Sequence, residues 1–148
     1  AGQLSQSLAE LGLAMDYEVI VTDPRQRMLS QWEGPSVRLV DGMPDDAVRD
    51  LADDPHSVIV TLTHDPRIDD MALMEALESR AWYVGALGSA RTTEKRLERL
   101  RALEVPAEAL ARLHAPVGIA IGSKTPIEIA ISIMAELTQL RRARERAG

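Results

Sequence analysis

The chain has 148 residues, 45% of them apolar and 27% charged, which suits one globular domain with a buried core and excludes a disordered chain. Its net charge of −6, from 17 basic and 23 acidic residues, argues against nucleic acid as a partner. Without cysteine it offers no disulfide framework, thiolate metal site or cysteine nucleophile, and no apolar run approaches the roughly 20 residues of a membrane span.

Leu4, Leu8, Leu11 and Met15 recur at helical spacing and predict a first helix. Residues 17–23, YEVIVTD, form a β-branched run stopped by Pro24 and read as a buried strand. A loop with one helical turn follows over 26–35, then a short strand over 36–40, a helix over 44–52 and a strand over 57–61. A helix over 68–79, with Ile68, Ala72, Leu73 and Leu77 inward, leads to a strand over 81–86, a turn at Gly88 and Ser89, and a charged helix over 91–103. Pro106 is expected to open a short helix running to Leu113. Thr125 as N-cap, Pro126 at the first helical position and Glu128 two further on give the last helix a capping box. Its Ile127, Ile129, Ile131, Ile133, Met134, Leu137 and Leu140 cover more than one face, which predicts burial on two sides, inside the domain or in a subunit interface. Arg141, Arg142, Arg144 and Arg146 read as a solvated last turn, where cations complement the helix dipole.

Strands separated by helices imply βαβ units, and so an α/β fold: a Rossmann-like parallel sheet flanked by helices. Open parallel sheets bind ligands outside the carboxyl ends of their strands, which directs attention to the loops after Asp23, Thr61 and Ala86.

Gly2 and Gln3 open the first helix, and Asp23 ends the next strand about 20 positions later, the interval at which a dinucleotide fingerprint places its ribose-binding acid. In that register the first glycine and the first strand would lie upstream, and Ser5 takes the last glycine position. The first strand is therefore expected to be missing from this chain. The plainer alternative is that Gly2 starts a helix and Asp23 caps a turn with Pro24. Thr63, His64 and Asp65 follow the strand at 57–61, where a histidine beside a carboxylate suits acid–base work or donation to a ligand oxygen; Asp65 or Thr63 equally suits a helix cap. Gly85, Gly88, Ser89, Arg91 and Thr92 combine a strand end, hydroxyls and a cation at a helix start. They suit a phosphate site, or an ordinary turn with Ser89 or Thr92 as N-cap. His114 stands in a rigid loop and faces either a ligand or a backbone carbonyl. His56, His64 and His114 have no spacing of a metal site.

The runs YVGALGSARTTEKR (83–96), HAPVG (114–118), TPIEIAISIMAEL (125–137), VTDPR (21–25) and TLTHD (61–65) together resemble the C-terminal domain of the XdhC/CoxI family of xanthine dehydrogenase accessory proteins. The resemblance spans nearly the whole chain, and five motifs in order make it specific. It implies a Rossmann-like fold and a role in maturing molybdenum hydroxylases. Members bind the molybdenum cofactor (molybdopterin, a pterin carrying a phosphate), protect it during sulfuration and pass it to xanthine dehydrogenase, acting as homodimers. Against the family pattern, the separate N-terminal domain is expected to be absent from this chain. The expectation is thus a cytoplasmic cofactor-binding and insertion factor rather than a catalyst, with a xanthine dehydrogenase-type molybdoenzyme as partner and neither nucleic acid nor membrane. An NAD(P)-dependent oxidoreductase and a pure interaction module are the competing readings.

Overall fold

A computed structural model describes residues 2–63 and 65–147. The elements in chain order are α1 (Gln3–Ala14), β1 (Ile20–Thr22), α2 (Gln26–Ser30), β2 (Arg38–Val40), α3 (Pro44–Leu51), β3 (Val58–Thr61), α4 (Pro66–Glu78), β4 (Tyr83–Ala86), α5 (Ala90–Ala102), α6 (Ala107–Leu110), β5 (Leu113–His114) and α7 (Pro126–Ala147). They form two units. One comprises the chain up to Val21, Arg25–Val40 and the segment from Gly118 onward; the other comprises Thr22–Pro24 and Asp41–Val117.

The second unit is a parallel sheet in the order β3-β4-β5. Val58 pairs with Tyr83 and Thr61 with Ala86, and on the far side of β4 Val84 pairs with Leu113 and Gly85 with His114. The middle strand, YVGA, is buried throughout, as a strand covered on both faces must be. α4 lies against β3 and β4, and Ile59, Leu73, Ala76, Leu77, Ala81 and Val84 form the core between them. Gly85 is required here by packing. A Cβ on it would come within 2.7 Å of Val117 Cγ2 and 2.8 Å of the Tyr83 ring.

Two expected elements differ in the structure. The helix opened by Pro106 ends at Leu110, and Leu113–His114 joins the sheet instead. The open edge of β4 needs a hydrogen-bonding partner, and Arg112 sets the segment's position by donating to the carbonyls of Leu77, Ser79 and Ala81. The strand expected over 17–23 is shorter and only half-buried. Its first residues are consumed in closing α1, where the N–H groups of Met15 and Tyr17 both return to the Gly12 carbonyl and Asp16 adopts φ 66°.

In the first unit α1 packs on α7, with Ala9 and Gly12 on one side and Ala130, Ile133, Met134 and Leu137 on the other. The capping box of α7 forms as read: Glu128 N–H donates to Thr125 Oγ1 at 3.3 Å, and Glu128 Oε1 accepts from the Thr125 N–H at 3.1 Å. Backbone donors at Lys124 and Thr125 hold the Glu128 carboxyl below its usual range. Gly118, at φ +93°, lets the chain approach α7 closely; a Cβ there would meet Ser132 Oγ at 2.5 Å. Among the described residues, only one face of α7 is covered. Ile127 and Ile131 are 44% and 47% exposed. The arginines that follow lie on an exposed helix end, with Arg142 paired to Glu145 and Arg141 over the Tyr17 ring.

Leu73, fully enclosed between α4 and the sheet, is the test of this core. Leu73→Ala is expected to lower the unfolding free energy by about 2–5 kcal/mol in urea titrations, whereas Met71→Ala, on the exposed side of the same helix, should change it by about 0.5 kcal/mol or less.

Candidate functional site at the carboxyl edge of the parallel sheet

Because β3 and β4 run parallel and in register, the loops after Thr61 and Ala86 leave the sheet at the same edge. The Leu87 N–H donates to the Thr61 carbonyl at 2.9 Å and extends the ladder one step past the strands. The chain then turns into α5. Ser89 Oγ accepts from the Thr92 N–H at 3.1 Å, and the Ser89 N–H donates to Thr92 Oγ1 at 2.8 Å, a reciprocal capping box. Gly88 makes room for it, since a Cβ there would stand 2.6 Å from Thr92 Oγ1.

This cap leaves the first two N–H groups of α5, those of Ala90 and Arg91, without a partner among the described residues, and the exposed Arg91 side chain beside them. Two uncommitted N–H groups, the positive end of a 13-residue helix and a guanidinium suit a phosphate or another anion. The hydroxyls of Ser89 and Thr92, expected as ligand donors, are engaged with each other and with the Ser89 carbonyl.

On the β3 side Asp65 is the N-cap of α4. It accepts from the Arg67 N–H at 3.0 Å and pairs with the Arg67 guanidinium at 3.1 Å, which holds its carboxyl below the usual range. Thr63 Oγ1 accepts from the Asp65 N–H and donates to Asp69 Oδ1 at 2.9 Å. The helix-cap reading of this segment is thus realised. His64 lies outside the described residues.

Beneath both loops is a buried ionic cluster that sequence reasoning did not single out. The Arg96 guanidinium, 6% exposed, donates from Nη1 to the Leu87 carbonyl at 3.1 Å and from Nε to Asp70 Oδ1 at 3.3 Å, while its Nη2 lies 3.7 Å from Asp69 Oδ2. Arg99 Nε donates to Asp70 Oδ2 at 2.7 Å. Asp69 is 2% exposed, and burial pushes its carboxyl up to about 6 against the opposing hydrogen bond from Thr63 and the charge of Arg96. Asp69 Oδ2, Thr61 Oγ1 and Thr93 Oγ1 are buried with no hydrogen-bond partner among the described residues. The signal was present in the spacing. Asp69 and Asp70 stand one turn before Ala72 and Leu73 on the inward stripe of α4, and Thr93 and Arg96 share the buried stripe of α5 with Leu100.

Thr63, Asp65, Gly88, Ser89 and Arg91 therefore gather on the two loops of one sheet edge. Gly85 lies within β4, and the ring of His114 on β5 stacks on buried Tyr83 with centroids 4.6 Å apart and planes 4° from parallel. Gly2 and Gln3 are exposed at the start of α1 in the other unit, where a Cβ on Gly2 would meet open space. Asp23, in the second unit, is buried at 2% exposure. No group of three or more potential metal-binding side chains is found among the described residues, and none of their helices is long and apolar enough to cross a membrane.

The parallel sheet, its glycine turn and the helix start at its carboxyl edge agree with the comparison to known proteins. Residues 1–137 match the family described as the XdhC Rossmann domain. The chain belongs to that family. The XdhC domain is 32% identical over 143 residues to a Bacillus subtilis (strain 168) protein described as a probable xanthine dehydrogenase subunit, covering 96% of this chain and 41% of the relative. It is 34% identical over 88 residues to the molybdenum cofactor insertion chaperone PaoD of Escherichia coli (strain K12), covering 60% of this chain and 28% of that protein. A crystal structure described as a xanthine dehydrogenase from Bacillus halodurans superposes with a TM-score of 0.82 at 30% identity, over 99% of this chain and 42% of that one. The XdhC domain spans between 26% and 41% of the length of the curated relatives it matches.

The raised Asp69 carboxyl gives a signed prediction. Its folded value lies above that of an unfolded aspartate, so its contribution to stability is present in acid and is lost as pH rises from about 4 through about 6, a change of about 3 kcal/mol. Asp69→Asn lacks this loss. Relative to wild type, the variant's unfolding free energy is expected to move by about 3 kcal/mol in its favour between about pH 4 and about pH 8 in paired denaturation curves.

Proposed function

We propose that this XdhC domain binds the molybdenum cofactor through its phosphate at residues 88–93 and serves as an accessory factor in its delivery to a xanthine dehydrogenase-type molybdoenzyme, without turnover of its own. The observation that carries the reading is the pair of uncommitted N–H groups at Ala90 and Arg91 beside the exposed Arg91 guanidinium, at the edge where open parallel sheets bind ligands. These residues fit a phosphate: backbone donors fix its oxygens and the guanidinium offers a two-pronged contact. The names borne by two relatives, one a molybdenum cofactor insertion chaperone and the other a probable part of xanthine dehydrogenase, support the choice of cofactor and client. The cofactor supplies the redox chemistry of its final enzyme; the domain's own residues bind and orient the phosphate-bearing end.

The competing nicotinamide reading requires Asp23 to meet ribose hydroxyls, and its burial speaks against that. Release of the bound small molecule from purified protein, followed by mass spectrometry and fluorescence of the oxidised pterin, is expected to yield molybdopterin. Arg91→Ala should weaken its binding by about 1.5–3 kcal/mol, the worth of a hydrogen bond to a charged group, with little change in melting temperature because the side chain is exposed. Recovery of NAD instead, with a comparable loss of NAD affinity in Asp23→Ala, would overturn the assignment.

We also propose a homodimer, supported by the uncovered Ile127 and Ile131 on α7. Ile131→Glu is expected to shift sedimentation from dimer to monomer while leaving the far-ultraviolet spectrum intact. A wild-type monomer at all concentrations refutes this arrangement.

A further inference from the structure

The two loops at the ligand edge are joined by side chains that no contact with a ligand requires. Thr63, after β3, donates to Asp69 Oδ1 at 2.9 Å. Asp69 Oδ2 lies 3.7 Å from Arg96 Nη2, and Nη1 of the same guanidinium donates to the Leu87 carbonyl at the base of the second loop. Both charged groups are buried, so their interaction is little screened by salt or water. Oδ2 has no hydrogen-bond donor among the described residues, which leaves that oxygen open to a proton.

We propose that Thr63, Asp69 and Arg96 form a proton-responsive tie between the two loops, so that anion affinity at residues 88–93 rises when Asp69 takes up a solvent proton on Oδ2. The inference rests on the anion-site reading given above. Its physical basis is charge balance. The carboxylates of Asp69 and Asp70 face the guanidinium groups of Arg96 and Arg99 and cancel them. One proton on Asp69 leaves a positive charge uncompensated beneath the loop held by Arg96, and a buried charge acts over longer range than an exposed one. Burial places this titration at about 6. Among the described residues, the groups facing Asp69 are Thr63 from the loop, Arg96 from α5 and Asp70 on its own helix, with Arg99 acting through Asp70. Asp65 is engaged by Arg67. His64 follows Thr63 in sequence, and histidine is the residue type whose ordinary charge change falls near this range, so its contribution must be separated by experiment.

Sulfate is the suitable probe, because its charge does not change between about pH 5 and about pH 8 while that of phosphate does. In the full chain, sulfate titrations followed by the amide signals of Gly88, Ala90 and Arg91 should show affinity about three- to tenfold higher at pH 5 than at pH 7.5. Asp69→Asn, which keeps His64, should bind at the higher level with no pH dependence. Thr63→Val removes a hydrogen bond that favours the ionised carboxyl, and should move the midpoint to higher pH. A merely structural role for Thr63 would not move that midpoint. By reciprocity, saturating sulfate should raise the wild-type Asp69 midpoint read from its carboxyl carbon signal, a measurement that needs no variant to fold. Equal affinity at both pH values, or an Asp69 midpoint indifferent to sulfate, overturns the tie while leaving the anion site standing. A pH dependence that survives Asp69→Asn assigns it to His64 and also overturns it. Absence of any sulfate response at these amides refutes the anion site itself, and the inference with it.

Discussion

The interior placement of the Arg96 guanidinium is the interaction on which the carboxyl edge of the parallel sheet depends. A buried cation is tolerated only where its desolvation is offset by opposite charge and hydrogen bonds, and here Asp70, Asp69 and the Leu87 carbonyl supply them. Leu100, one turn of α5 further on and fully buried, anchors the apolar end of the helix. Between a polar anchor at 96 and an apolar one at 100, α5 has one way to lie against its unit. Its first turn therefore comes to rest at the carboxyl edge of the sheet, where Arg96 also fixes the carbonyl just before the glycine turn.

That fixed position is what gives the capping box its consequence. Ser89 and Thr92 satisfy each other, so the donors left uncommitted at this helix start are backbone N–H groups rather than hydroxyls. Backbone donors are already rigid when a ligand arrives, so less ordering accompanies binding than with mobile side chains. The exposed Arg91 adds charge without being tied into the fold. Glycine at 88 serves the cap and glycine at 85 serves the core, two different reasons for one residue type in a run that looks uniform in sequence.

The family assignment and the geometry support each other at different levels. Identity of about a third over nearly the whole chain, together with the superposition on a solved structure, fixes the fold and the family. The proposed cofactor and client are supported by what relatives are called and by a phosphate-shaped set of donors. The chain spans between 26% and 41% of its relatives' length, so the proposed delivery draws on what those relatives are called, whereas the proposed phosphate site is argued from one sheet edge of this chain.

Sequence alone carried the alternation of helices and strands, the capping box of α7 and the parallel character of the sheet. Each of these is written in local spacing: Thr125, Pro126 and Glu128 are within one turn of each other, and 57–61 and 81–86 are runs long enough to be read as strands. Its motifs also determined the family. That residues 113–114 become a strand was settled in three dimensions, because a two-residue segment has no periodicity and joins the sheet only where β4 offers an unpaired edge. The fold likewise decided the fate of Asp69, Asp70 and Arg96. In one dimension they are ordinary charges on amphipathic helices. Their burial and the open oxygen on Asp69 arise from the meeting of α4 and α5, elements that are separated in the chain by a strand and brought together by the parallel crossover.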